Sequence, residues 1–103
     1  MNRITIKVLK NGFSYSGGAG VRKRKDASTI FNWVERKLHC LGRSLATKLK
    51  DKTAVLVKYL DGGVNETVTS DDPKEILYAL ACFLEDYLPK DLLNRKYKKY
   101  REI

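Results

Sequence analysis

The beginning of the chain alternates between apolar and polar residues. The alternation runs from Ile4 to Val8 and has the period of a half-buried β-strand. Asn11-Gly12, the dipeptide most typical of a type I′ hairpin turn, follows closely. A two-residue turn there pairs Val8 with Tyr15 and gathers the apolar side chains of both strands on one face. The pattern therefore predicts a β-hairpin.

A helical period replaces the alternation after a glycine-rich break at residues 17–20. Asp26 and Ser28 are both suitable N-caps for a helix. The apolar residues that follow recur at steps of three or four, which predicts an amphipathic helix to about Lys50. A kink or an early end is expected at Gly42, because glycine destabilises a helix interior. The apolar stripe consists of Ile30, Val34, Leu38, Leu41, Leu45 and Leu49.

A second hairpin is predicted over residues 53–69, with its turn at Asp61–Gly63. The alternation again places one set of residues on the core face of the sheet. That set is Val55, Val57, Tyr59, Val64 and Val68.

The next helix has the clearest start in the chain. Asp72 is a suitable N-cap, Pro73 suits the first helical position, and Glu75 completes a capping box. Pro89 is expected to stop or kink this helix. A last short helix is predicted over residues 92–101.

The two halves of the chain align with one another. Ile6–Gly12 matches Val57–Gly63 at an offset of 51 positions, and the two helices match at an offset of 46. We therefore expect an α+β fold built as a ββα-ββα pseudo-repeat, residues 3–50 and 53–88, with a basic tail helix, residues 90–103, in one domain. The expected architecture is a four-stranded antiparallel sheet with both long helices on one face. Similarity without duplication stays an alternative, because the same patterning shapes any ββα unit.

Composition excludes several protein classes. Of the 103 residues 43% are hydrophobic, which is enough for a folded core and argues against disorder. No apolar run approaches the ~20 residues of a membrane span, and the first residues lack the apolar stretch of a signal peptide. We therefore expect a cytoplasmic protein with no membrane association and with two reduced cysteines.

Positive charge is concentrated at both ends. The net charge of +9 divides into +7 over residues 1–25, +3 over residues 26–52, −5 over residues 53–89 and +4 over residues 90–103. Segregated charge favours a polyanionic partner, whereas charge that only keeps the protein in solution is the alternative. The first interpretation requires the cations of both ends to form one contiguous surface.

Three groups of residues are candidates for contacts to nucleic-acid phosphates. The first is the basic run before the first helix, the second is the tail, and the third is the face of the sheet that the helices leave open. A solvated loop, tyrosines that pack on the core and a solvated sheet are the respective alternatives. The candidates are Arg22, Lys23, Arg24 and Lys25 in the loop, Arg95, Lys96, Tyr97, Lys98, Lys99, Tyr100 and Arg101 in the tail, and Lys7 and Lys58 on the sheet.

The second long helix is apolar nearly all round, which is typical of a helix buried on two sides or placed at an interface. Tyr78, Ala79 and Cys82 lie off its core stripe. Either the tail helix covers them or they form the interface of a homodimer.

Catalytic and metal-binding residues are not indicated. His39 is the only histidine, and its neighbour Cys40 points about 100° away on a helix. Zinc needs about four clustered ligands, and Cys40 and Cys82 lie far apart in sequence. We therefore expect no catalytic residue, no metal and no cofactor.

Two functions fit these observations. The first is a non-enzymatic nucleic-acid-binding protein, for DNA or RNA, that contacts phosphates with low sequence specificity. The alternative is a small protein-binding regulator or inhibitor, of the type that phages or mobile elements encode, which acts through the apolar helix face or a sheet edge.

Overall fold

The computed structural model describes residues 2–9, 12–15, 21–23, 28–42, 44–59, 64–88, 93 and 95–102, with the backbone alone at 9, 12–15, 21–23, 28, 29 and 95. The fold class is α+β. The strands are β1 (Asn2–Leu9), β2 (Gly12–Tyr15), β3 (Val21–Lys23), β4 (Thr53–Tyr59) and β5 (Glu66–Ser70). The helices are α1 (Ser28–Leu41), α2 (Pro73–Tyr87) and α3 (Arg95–Arg101).

The sheet is mixed. Within the described residues it has five strands, in the order β3-β2-β1-β4-β5. β1 and β4 run parallel at its centre, with Ile6 beside Val57, whereas the other neighbouring strands are antiparallel. The prediction of four antiparallel strands is therefore wrong in the number of strands and in the direction of the central pair.

The extra strand explains the parallel pair. Val21–Lys23 was expected in a loop, but it forms β3 and pairs with β2. Because β1, β2 and β3 are successive antiparallel strands, β3 ends at the end of the sheet where β1 also ends. Since α1 then crosses back over the sheet, β4 starts at the same end as β1, and parallel neighbours need such a crossover.

The first hairpin is present, but its register differs from the prediction. Val8 pairs with Phe13, and Ile6 pairs with Tyr15, whereas the predicted turn paired Val8 with Tyr15. The shift is two residues, an even number, so it keeps the predicted alternation of the backbone register. Asn11 of the predicted turn, like the predicted turn at residues 61–63, lies outside the described residues.

One apolar core joins the sheet to the helices. The apolar residues of β1 and β4 that share a face pack against both long helices, which therefore cover the same side of the sheet. Val68 packs against this core, but Val64, predicted on the same face, precedes β5 and is 82% exposed. The fully buried large residues include Ile6, Val8, Ile30, Phe31, Val34, Leu38, Val55, Ile76, Leu77, Leu80 and Leu84.

α1 ends at Leu41, so the earlier of its two predicted ends is the correct one. The amide of Gly42 still donates to the carbonyl of Leu38 at 3.0 Å. A Cβ at Gly42 would lie 2.9 Å from a methyl group of Leu49. The segment after α1 turns back toward the core, where Leu49 is buried. Glycine therefore allows the chain to pack across the helix terminus.

α2 begins at the predicted residue but without the predicted capping box, because the amide of Asp72 donates to Ser70 Oγ at 3.0 Å and not to Glu75. Asp72 is its N-cap and accepts a hydrogen bond from the amide of Lys74 at 3.0 Å, and Pro73 occupies the first turn. The helix ends at Tyr87, while Pro89 lies outside the described residues.

The pseudo-repeat is not confirmed. The parallel register of β1 and β4 has the sequence offset of 51, since Lys7 pairs with Lys58. However, neither possible two-fold axis relates the two halves. An axis normal to the sheet would make β1 and β4 antiparallel, but they are parallel. An axis along the strands would place α1 and α2 on opposite faces of the sheet, but both pack on the same core.

None of the described helices has the length and apolar character needed to cross a bilayer.

Candidate nucleic-acid interface

The face of the sheet opposite the helices carries three cations. Arg3 and Lys7 on β1 are exposed and Lys58 on β4 is partly exposed, because Ile6 and Val57 between them turn to the core. We call this surface the open face. Its described members are Arg3, Thr5, Lys7, Ala54, Leu56, Lys58, Thr67 and Thr69.

Lys7 and Lys58 lie side by side on the open face. They are register partners in the parallel pair of strands, so their backbones are about 4.8 Å apart. Like charges directly opposite one another destabilise a sheet. No carboxylate occurs among the described members of the open face, so an anion bound from outside is the natural partner for this pair.

Glu66 on β5 is the one acidic residue of the described strands, and it lies on the helix side of the sheet. It pairs with the buried Val57 and therefore shares the core face. Its partial burial, and secondarily the charge of Asp86, raise the pKa of the Glu66 carboxyl. The sheet thus separates this carboxylate from the cations of the open face.

Hydroxyl groups extend the open face beyond the lysines. Thr67 and Thr69 on β5 are exposed, and they pair with Leu56 and Ala54 of β4. Hydroxyls next to lysines are typical contacts of phosphate and sugar oxygens.

The basic run before α1 is placed differently from its prediction. Arg22 and Lys23 lie in β3, at the edge of the sheet, where Arg22 pairs with Phe13 and Lys23 with Gly12. Cations on an edge strand also discourage pairing with another sheet. Arg24 and Lys25 lie outside the described residues.

Glu35 holds the tail helix on the core. Lys96 Nζ contacts Glu35 Oε1 at 2.8 Å and Oε2 at 3.1 Å, and the hydroxyl of Tyr100 donates to the same carboxylate. The ring of Tyr100 packs on Phe31 with 5.5 Å between centroids, and the residue is 5% exposed. Burial, followed by the hydrogen bond to Glu35, raises the pKa of Tyr100. Tyr100 is therefore a core residue, and stacking on a base is not open to it in this arrangement.

Arg101 is also bound within the protein. Its Nε contacts Glu85 Oε2 at 2.8 Å, its Nη1 donates to the hydroxyl of Tyr78 at 3.0 Å, and its guanidinium lies 5.4 Å from the centre of the Tyr78 ring. The hydrogen bond from Arg101 lowers the pKa of Glu85. Tyr97 is partly buried against the core.

The two ends of the chain do not form one cationic surface among the described residues. Lys98 and Lys99 on α3 are exposed, but α3 packs on the helices, whereas Lys7 lies on the open face. Lys96 and Arg101 are paired with carboxylates. The described cations of the two ends therefore lie on different sides of the molecule, because the tail folds back over the helix layer. For the basic side chains at positions 10 and 22–25, which are not described, convergence with other cations stays a prediction. Arg95 is described by its backbone alone.

The predicted interface on α2 is partly covered. Tyr78 is 36% exposed and lies beneath Arg101, while Ala79 and Cys82 are half-buried. The tail helix thus covers part of this face, which was one of the two predicted alternatives; a homodimer stays a prediction.

Chemistry-bearing side chains are scattered in the described part of the chain. There, no group of three or more His, Cys, Asp or Glu side chains is arranged to hold a metal ion. His39 and Cys40 are exposed on α1.

Sequence reasoning missed Arg3. Arg3 lies four residues before Lys7 in the same alternating strand, so the alternation already placed both side chains on one face. A depression of about 410 Å³ next to it, between β1 and α1, was also missed, because the packing of a helix against a strand leaves no local pattern.

No protein-family model, no curated protein and no solved structure matches this chain.

Proposed function

We propose that this protein binds nucleic acid through the open face, contacting phosphates with low sequence specificity. The observation that carries the proposal is the pairing of Lys7 with Lys58 across the centre of the sheet. A like-charged pair costs stability in the free protein, and a bound phosphate removes that cost.

The shape and charge of the surface suit a backbone rather than base edges. A broad sheet face with three cations and exposed threonines presents donors to many phosphate and sugar oxygens at once. No aromatic side chain belongs to its described members, so base stacking across this face, as on aromatic-bearing sheets, is not expected. Affinity should therefore depend on salt much more than on sequence.

The helix side of the molecule carries charges of both signs. Glu75 and Asp86 on α2 are exposed there, and so are Lys74 on α2 and Lys98 and Lys99 on α3. The open face differs, because its described members include cations and no carboxylate. Three open-face cations predict a modest affinity.

The test is a salt titration of binding to a labelled duplex, followed by fluorescence anisotropy. The variant replaces the central pair, Lys7→Gln with Lys58→Gln. The matched control, Lys74→Gln with Lys98→Gln, removes the same charge from exposed positions on the helix side.

Each lost phosphate contact should reduce the slope of log affinity against log salt by about 0.9. The open-face variant should therefore lose about 1.8 of the slope, and the control should lose little. Equal losses in both variants would show that net charge alone governs binding, and binding that ignores salt would overturn the proposal. The melting temperature of the open-face variant should be unchanged or higher, since a repulsion has been removed.

A protein-binding role is the second candidate, and one observation favours it. β5 is an edge strand, and Val64, just before it, is 82% exposed. An exposed edge next to an apolar side chain can pair with a strand of another protein. Capture of partners that persists after nuclease treatment would favour this role over nucleic-acid binding.

A further inference from the structure

The depression between β1 and α1 combines an apolar floor with two cations. Ile4, Trp33 and Leu41 supply apolar surface, and Arg3, Lys37 and Cys40 also line it. Its volume of about 410 Å³ falls within the range of small-ligand sites. Leu41 is 37% exposed, so the floor is open to solvent.

A cation lies over the indole ring of Trp33. Lys37 Nζ lies 5.5 Å from the centre of the Trp33 ring, while Trp33 also packs against the core. A lysine over an aromatic ring at an exposed site is held weakly. A flat ligand that stacks on the indole can take this place, and the ammonium group is then near enough to bind a negative charge on that ligand.

Arg3 connects the depression to the open face. It lines the depression and shares the alternation phase of Lys7, about 13 Å away along β1 at the rise of a strand. A chain of phosphates on the open face therefore leads along β1 to the rim of the depression.

We infer that this depression binds one unpaired base of a single-stranded nucleic acid, with the base on Trp33 and the flanking phosphates on Arg3 and Lys37. The inference rests on the proposed function and names its substrate class. A base within a duplex is stacked and paired and cannot enter, whereas a single strand can place a base on an aromatic ring. A ligand with a flat apolar body and negative charges on both sides fits an apolar floor between two cations.

Trp33 is the only tryptophan of the chain, so its fluorescence reports on this depression directly. The probes are an oligothymidylate about a dozen nucleotides long, which is within the usual site size, and a duplex of the same length. The single strand should quench Trp33 on binding, and the duplex should bind with little quenching.

Trp33→Leu should weaken binding of the single strand about 5- to 150-fold, as expected for the loss of one base stack. It should leave duplex affinity within about two-fold, and Trp33→Phe should restore part of the loss. Lys37→Gln should reduce the slope of log affinity against log salt for the single strand by about 0.7. This substitution does not alter the core, because Lys37 is exposed. Unchanged duplex affinity shows that the variants are folded.

The outcomes separate the two proposals. If the single strand binds without quenching, or if Trp33→Leu weakens both probes equally, the base site is wrong, while the effect of Lys7 and Lys58 can still stand. If neither probe binds the unaltered protein, the proposed function fails and the base site fails with it.

Discussion

Replacing Glu35 by alanine should detach the tail helix from the core. The Glu35 side chain is 14% exposed and accepts from both Lys96 and Tyr100. Its removal leaves the hydroxyl of Tyr100, in a residue that is 5% exposed, without its carboxylate acceptor. The Glu35 carboxylate thus joins α1 to two residues of α3 at once.

The expected loss of stability follows from these contacts. An orphaned, nearly buried hydroxyl costs about 1–3 kcal/mol, and the ion pair with Lys96, whose side chain is 32% exposed, adds about 0.5 kcal/mol. The better helix propensity of alanine returns a few tenths of a kcal/mol. The free energy of unfolding should therefore fall by about 2 kcal/mol, which lowers the melting temperature of a domain of this size by roughly 10 °C.

Urea denaturation followed by Trp33 fluorescence measures this change. The control is Asp51→Ala, which removes one negative charge from an exposed position and should change the free energy of unfolding by less than about 0.5 kcal/mol.

A double-mutant cycle with Tyr100→Phe isolates the hydrogen bond, because the phenylalanine ring keeps its packing on Phe31. Removing both partners should cost less than the sum of the single changes by about 1 kcal/mol. If Glu35→Ala behaves like the control, or if the two changes are additive, Glu35 does not hold the tail helix.

Two further predictions concern groups that the helix layer covers. Burial, followed by the charge of Glu66, raises the pKa of Tyr59, and burial also raises the pKa of Tyr100. Both pKa values lie above those of the unfolded chain. The contribution of these two tyrosines to stability is therefore complete below about pH 10 and is lost as the pH rises beyond it. Phenolate absorbance should show these two of the six tyrosines ionising last, and Tyr59→Phe with Tyr100→Phe should remove that late phase; ionisation of all six near pH 10 without unfolding would contradict this. Cys40 is exposed and Cys82 is half-buried, so a thiol reagent should modify Cys40 first, and Glu35→Ala should speed the modification of Cys82 because α3 no longer packs on α2. Equal rates for Cys82 in the two proteins would show that α3 does not protect it.

The periodic segments were predictable because each buries one face by itself. The alternation of β1 and β4 and the helical spacing of α1 and α2 are local consequences of burial. The cap at Asp72 and the early end at Gly42 are likewise local, since backbone hydrogen bonds and glycine decide them.

β3 was not predictable in this way. It is three residues long and contains one apolar residue, Val21, followed by Arg22 and Lys23, so no alternation marks it. Its existence depends on the open edge of β2. Missing it reversed the predicted direction of β4, because each strand before α1 changes the end of the sheet at which the next one starts.

The contacts of the tail were equally hidden. Glu35 and Lys96 are 61 residues apart, and neither lies in a segment whose pattern indicates the other. Sequence counting therefore treated Lys96 and Arg101 as available to a polyanion, although each is paired with a carboxylate of the helix layer.

The net charge of +9 is thus a poor measure of what a ligand meets, and the direction of β4 is what concentrates charge on one surface. If β4 ran antiparallel to β1, the register that places Lys58 beside Lys7 would not exist. The third strand and the open-face lysine pair are therefore linked. β3 leads the chain to the end of the sheet from which α1 crosses back, and this crossover allows β4 to lie parallel to β1. The proposed phosphate site therefore depends on the parallel register of two central strands more than on the number of basic residues in the chain.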